Sequence, residues 1–232
     1  MKVEELRNYG KNYVDIMTDP SEMKRMDRIM SKEFRRELGL FRVIKMVWQV
    51  KRQTKQLKNH DWSNLKKHGL KDQNFLDSVI QSTTVTKVLA DMMGMEKASA
   101  TFRSVWDRVA YDVMKSVFPT VEELKVCGDA FECLREWMKA FHNANERNGI
   151  YETEMVDDSE DVFAFNFKYC THFEVAKELG DPYLCYPTSC YPDEVIWPRM
   201  GIEAGWRFSR SGTLATGAPV CDFRLERIMA SR

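Results

Sequence analysis

The chain has 232 residues, its 35 Lys and Arg balanced by 35 Asp and Glu, with 44% hydrophobic and 12% aromatic residues. That supply of apolar side chains excludes disorder as the dominant state and suits one domain of generous size, or a small domain with a helical extension. Phe41 to Val50, the longest mainly apolar stretch, is too short to span a bilayer, and Met1-Lys2-Val3-Glu4-Glu5-Leu6-Arg7 lacks secretory character, so a cytoplasmic protein with reduced thiols is expected.

Apolar residues at Met23, Met26, Ile29, Met30, Phe34, Leu38, Phe41, Ile44 and Trp48 recur every three or four positions. This spacing predicts an amphipathic helix, broken at Gly39 and opened by Asp19-Pro20-Ser21-Glu22 with Ser21 as N-cap. Further helices are predicted over Asn74 to Met93 and Ala98 to Val117. Thr120-Val121-Glu122-Glu123 has the form of a capping box for one more, running to Asn148-Gly149. After Gly149 the texture changes. Val162 to Lys168 alternates bulky apolar with small or polar residues, as a half-buried strand does. Thr171 to Leu179 reads as a short helix. Five of the seven prolines fall between Pro182 and Pro219, which predicts short elements there. Trp206 to Arg210 and Val220 to Leu225 read as two strands, the second carrying Cys221, Phe223 and Leu225 on one face and Asp222, Arg224 and Glu226 on the other. The expectation is an α+β protein: a helical N-terminal half, residues 1–148, packed on a small sheet-containing C-terminal half, residues 149–232, as two regions or one integrated domain.

Neutrality hides a polarised chain. Residues 24–71 carry fifteen Lys and Arg against four acids, a net +11, while Glu152, Glu154, Asp157, Asp158, Glu160 and Asp161 form a local acidic run. No helix-turn-helix, zinc finger or aromatic RNA-binding motif accompanies the basic segment. It is therefore read as a solvated face, or one paired with the acidic run, with neither nucleic acid nor membrane as partner. The four histidines show no zinc spacing; His172 stands out because it lies two residues past Cys170, and as a lone His on a short helix it is read as a capping or surface residue. Cys127 and Cys133, placed on one helix about 600° apart, read as packing residues on different faces.

The remaining cysteines sit beside carboxylates and arginines. Cys170 follows a strand, Cys185 and Cys190 bracket a Pro-containing turn, Cys190 stands three residues before Asp193, and Cys221-Asp222 opens the last strand. A thiol so placed can attack an electrophilic carbon when a cation or a helix N-terminus lowers its pKa. Alternatively, Cys170, Cys190 and Cys221 could ligate zinc or iron, or the cysteines could simply fill a small core.

The tail from Arg210-Ser211-Gly212-Thr213-Leu214-Ala215-Thr216-Gly217 to Cys221-Asp222-Phe223-Arg224 resembles the C-terminal signature of the L-2-amino-thiazoline-4-carboxylic acid hydrolase family. So do the strand leading into Cys170, the short helix ending at Glu178-Leu179-Gly180, and the Cys190-x-x-Asp193 spacing, all within roughly residues 160–226. The resemblance implies a hydrolase opening a small cyclic amidine or thiazoline by attack at the ring carbon between nitrogen and sulfur. It also implies the site. Cys190 or Cys221, with Cys170 beside them, would supply the nucleophile or a metal ligand. Asp193 or Asp222 would transfer protons. Arg210 or Arg224, with Thr213, would hold a substrate carboxylate. The partner is then a small-molecule substrate, no cofactor is required, and a homo-oligomer is compatible. The alternatives are a metal-dependent enzyme of another class built on the same cysteines, and a non-catalytic small-molecule binding or sensor module.

Overall fold

The computed structural model describes residues 1–17 and 19–228. A 3-10 turn at Val3–Glu5 precedes α1 (Tyr13–Met17), α2 (Pro20–Leu38) and α3 (Leu40–Leu57). Asp19, not Ser21, caps α2. Its carboxylate accepts the Ser21 and Glu22 backbone N–H groups, and Pro20 takes the first helical position, where no N–H is needed. Gly39, at φ 76°, separates α2 from α3 as expected. α4 (Ser63–Lys67) and α5 (Gln73–Met93) follow, the latter capped by Asp72 and ended by Gly94. α6 (Met95–Met114) runs three residues ahead of its expected span at both ends. The Thr120–Glu123 capping box is present but opens only α7 (Val121–Cys127), because Gly128 breaks the chain at φ 137° and Asp129 caps a new helix, α8 (Ala130–Arg147). Cys127 and Cys133 thus lie on two helices rather than on two faces of one. Burial, with the Cys127 thiol beside it, pushes the Cys133 thiol up to about 12.

The C-terminal part contains β1 (Tyr151–Asp158), β2 (Val162–Cys170), α9 (Thr171–Glu178), a 3-10 turn at Pro182–Cys185 and a π-turn at Tyr186–Cys190. It continues with α10 (Tyr191–Ala204), β3 (Trp206–Ser209), a 3-10 turn at Leu214–Thr216 and β4 (Cys221–Arg227). The sheet has the order β1-β2-β4-β3 with every pairing antiparallel, an α+β architecture. In this part β1 and α10 are the strand and helix that the sequence pattern did not reveal, as it did not reveal α1 and α4 upstream. Prolines do not keep the region short: Pro192 sits in the first turn of α10 and Pro198 inside it.

The inner face of the sheet carries Phe163 and Phe165 from β2 and Cys221, Phe223 and Leu225 from β4, with Phe165 stacked on Phe223 at 5.0 Å. Trp137 and Phe141 of α8 and Trp197 of α10 complete this core. A second core, built on Phe34, Val88, Phe102 and Trp106, joins α2, α3, α5 and α6.

Of the two readings of the basic segment, pairing with the acidic run is not seen. The acidic run bonds to Arg135, Lys139, Lys168 and Arg227, none of them in the basic segment. Arg42, Lys45, Lys51, Arg52, Lys55 and Lys58 take part in no ion pair among the described residues, and α3 presents Phe41 and Trp48 to solvent beside them, 87% and 60% exposed. Among the described residues no helix is long and apolar enough to cross a membrane.

Candidate active site

A β-bulge sets the position of the first thiol. Glu152 of β1 opposes Tyr169 of β2, but the next residue, Thr153, opposes Phe167, so Lys168 is an extra residue in the ladder. One inserted residue reverses which side chains face inward. Cys170, rather than Tyr169, therefore ends the strand on the side of Phe165 and Phe167 and lines a cavity with them. Tyr169 stacks instead on His68 at 4.4 Å.

α9 begins one residue later, so Cys170 occupies its N-cap position. No cap hydrogen bond forms, but the Phe173 and His172 N–H groups point toward the sulfur and favour the thiolate; burial outweighs them and holds the thiol well above its usual pKa. The His172 ring lies with Nδ1 3.9 Å from the Cys170 sulfur and is braced edge-on by Phe75. Burial pushes His172 down to about 4, so it is a neutral imidazole at physiological pH. The sequence places His172 two residues past Cys170 but suggests a capping or surface role; it lines the cavity instead.

Cys221 opens β4 opposite Phe167, its sulfur accepting the Leu214 N–H at 3.2 Å, and burial raises it to about 12. Cys190 closes the π-turn, where a hydrogen bond with Cys185 and burial push its thiol up. Asp193 stands in the first turn of α10, accepting from Trp197 Nε1 at 3.2 Å and Arg210 Nη1 at 3.2 Å. Burial raises Asp193 to about 6 against the pull of Arg210. The Arg210 side chain is 4% exposed. Its Nη2 donates to Glu194 at 2.7 Å and to the Cys190 carbonyl at 2.9 Å, and its guanidinium lies over Phe223. This arginine clips the start of α10 to the sheet.

Cys170, His172, Cys190, Cys221, Asp193 and Arg210 all line one cavity of about 430 Å³ between the two cores. His142 also lines it. Both of its ring nitrogens are buried without a hydrogen-bond partner among the described residues, and burial takes it down to about 3.

Three other expected residues lie elsewhere. The strand alternation that turns Cys221 inward turns Asp222 and Arg224 outward. Burial alone would raise Asp222, but bonds from the Ser211 and Gly212 N–H groups and the Ser211 hydroxyl hold it below the usual carboxylate range. Arg224 is spent on the Phe165 and Phe223 carbonyls and on Asn166. Thr213 is buried, capping the turn at Leu214–Thr216. Among the described residues no three His, Cys, Asp or Glu side chains are grouped as metal ligands, so a zinc or iron site on Cys170, Cys190 and Cys221 lacks a donor set.

The α+β scaffold borders an apolar cavity with thiols, a carboxylate and a guanidinium in its wall, the composition by which small-molecule pockets are recognised. The family profile described as L-2-amino-thiazoline-4-carboxylic acid hydrolase matches residues 77–225, and the chain belongs to this family. The match starts in α5, far upstream of the C-terminal resemblance, so it takes in most of α5 and all of α6 to α8. No curated protein and no solved structure matches the chain.

Proposed function

We propose that the cavity is the active site of a hydrolase that opens a small cyclic amidine or thiazoline, with Cys170 as nucleophile, His172 as its base and Asp193 as the base for water. The observation that carries this reading is the Cys170–His172 contact, on the same cavity as the Asp193–Arg210 pair, in a member of this family. Burial keeps Cys170 a thiol at rest, so a base within reach is required to make the nucleophile.

The neutral His172 imidazole takes the Cys170 proton as the sulfur attacks the ring carbon between nitrogen and sulfur. The ring C–S bond breaks, and the departing sulfur takes that proton from the imidazolium. A covalent isothiourea on Cys170 remains. The Asp193 carboxylate then accepts a proton from water as the water oxygen attacks the same carbon. Cys170 departs with that proton, the remaining hydroxyl proton passes to the neighbouring nitrogen as the carbonyl forms, and an N-carbamoyl thiol product is left. Arg210 acts as a positioning residue. Its donors are shared between Asp193, Glu194 and the Cys190 carbonyl, so it orients Asp193 rather than clamping a substrate carboxylate.

The test is release of free thiol from 2-amino-thiazoline-4-carboxylate. Cys170→Ser and His172→Asn should each lower turnover by roughly 10²–10⁴-fold while the melting temperature stays near wild type. Cys221→Ser should keep most activity. A folded Cys170→Ser protein with wild-type turnover would remove Cys170 from the mechanism.

A further inference from the structure

The cavity is roomier and more apolar than ring opening demands. Its volume of about 430 Å³ lies within the range of about 300–1,000 Å³ that encloses drug-sized molecules. A five-membered ring with its carboxylate fills only part of that. The chemical groups come from β2, α9, α10 and β4. Much of the remaining wall is apolar: Met26, Met30 and Phe34 of α2, Phe75 of α5, and Phe102 and Trp106 of α6. Met23, Met26 and Met30 fall on one face of α2, and their flexible thioethers adapt to an irregular apolar shape. Exposed Asp27 and Gln81, on α2 and α5, also border the cavity, which places its mouth between those helices. α2 ends at Leu38, before Asp77, where the family match begins. The methionine wall is therefore supplied by a segment outside that match.

We infer that this protein's preferred ligand couples the small polar ring to an apolar arm of several carbons, which runs from the Cys170 end along the methionine face of α2 toward the mouth. The inference rests on the ring-opening chemistry proposed for the cavity. It assigns specificity to α2, where the chemistry owes nothing to that helix.

The probes are 2-amino-thiazoline-4-carboxylate and its analogues carrying ethyl, butyl or pentyl chains on the neighbouring ring carbon. Binding is measured by calorimetry on Cys170→Ser, and kcat/KM on the wild type. Each methylene taken from water into the wall should tighten binding about fourfold, so ethyl to pentyl should gain about sixtyfold. Met30→Gln, checked for an unchanged melting temperature, should flatten that dependence. Affinity that is flat or falls with chain length overturns the inference, whether or not the unsubstituted ring is opened. Length-dependent binding with no ring opened by the wild type upholds the apolar-arm site and overturns the hydrolytic reading instead.

Discussion

Replacing Arg210 by Met would leave Asp193 and Glu194 facing one another with no cation between them. The methionine keeps the apolar stem, so packing against Phe223 largely survives while the charged contacts to Asp193, Glu194 and the Cys190 carbonyl are lost. Breaking one partner of a buried pair costs about 3–5 kcal/mol. Glu194, 39% exposed, recovers part of its loss in water, whereas Asp193, 19% exposed, does not. The expected loss near neutral pH is therefore about 3–4 kcal/mol, a drop of roughly 6–16 °C in Tm for a chain of this size. The penalty is pH-dependent with a definite sign. Without the guanidinium, Asp193 rises further above its already raised value, so lowering the pH to about 5 neutralises it and returns stability to the variant. Adding Asp193→Asn removes the uncompensated charge, and the double variant should lose at least about 1 kcal/mol less than the sum of the singles. Urea unfolding followed by tryptophan fluorescence at about pH 5 and pH 7.5 measures each corner of the cycle. A loss below about 1 kcal/mol near neutrality, or equal losses at both pH values with strict additivity, would refute the buried-pair account.

Other outcomes follow from the same geometry. Because folding raises Asp193 from 3.8 to about 6, the folded state binds the proton more tightly. Wild-type stability should fall as pH rises through that window and then level off, an effect on the order of 3 kcal/mol that Asp193→Asn abolishes in a pH series of urea titrations. The same ionisation makes Asp193 a competent base only above about 6. Turnover should climb through that pH, and Asp193→Asn should remove the limb together with roughly 10²–10⁴-fold of the rate, read as a kcat profile. At Gly149, φ 67°, an added Cβ would meet the Gly69 carbonyl carbon at 2.2 Å and the Leu70 nitrogen at 2.3 Å. Gly149→Ala should cost about 3 kcal/mol or more, whereas Gly180→Ala, at φ 98° with nothing within 4 Å, should cost only the backbone strain of about 1–2 kcal/mol in thermal unfolding.

Alternation made β2 and β4 readable, since Phe163, Phe165, Cys221, Phe223 and Leu225 are spaced for one buried face. Gly39 and Gly94 marked helix ends because each needs a positive φ. β1 escaped because it is an edge strand with little buried surface, and the short alternation of Tyr151, Thr153 and Met155 is masked by the acids along it. α10 escaped because Pro198 suggests a break that a helix held by Ile196, Trp197 and Met200 in the core overrides. For the candidate site, the residue types around Cys170, Cys190, Asp193, Arg210 and Cys221 were apparent from the family resemblance. Which of them share a wall was not. The bulge at Lys168 turns Cys170 inward, and it follows from a pairing with β1 that the sequence does not announce. The outward turn of Asp222 and Arg224 was legible in the β4 alternation, yet their neighbours' chemistry obscured it. The α2 methionines read as core, and Met26 is indeed buried in one, but only tertiary packing shows that the same face also borders a cavity.

The central claim is covalent attack by Cys170, and acid-quenched mass spectrometry of the wild-type protein during turnover of 2-amino-thiazoline-4-carboxylate tests it most directly. The account predicts a peptide containing Cys170 that carries the opened substrate, decays as product forms, and is absent from Cys170→Ser. Turnover with no adduct on any cysteine, or an adduct confined to Cys190 or Cys221, would contradict it.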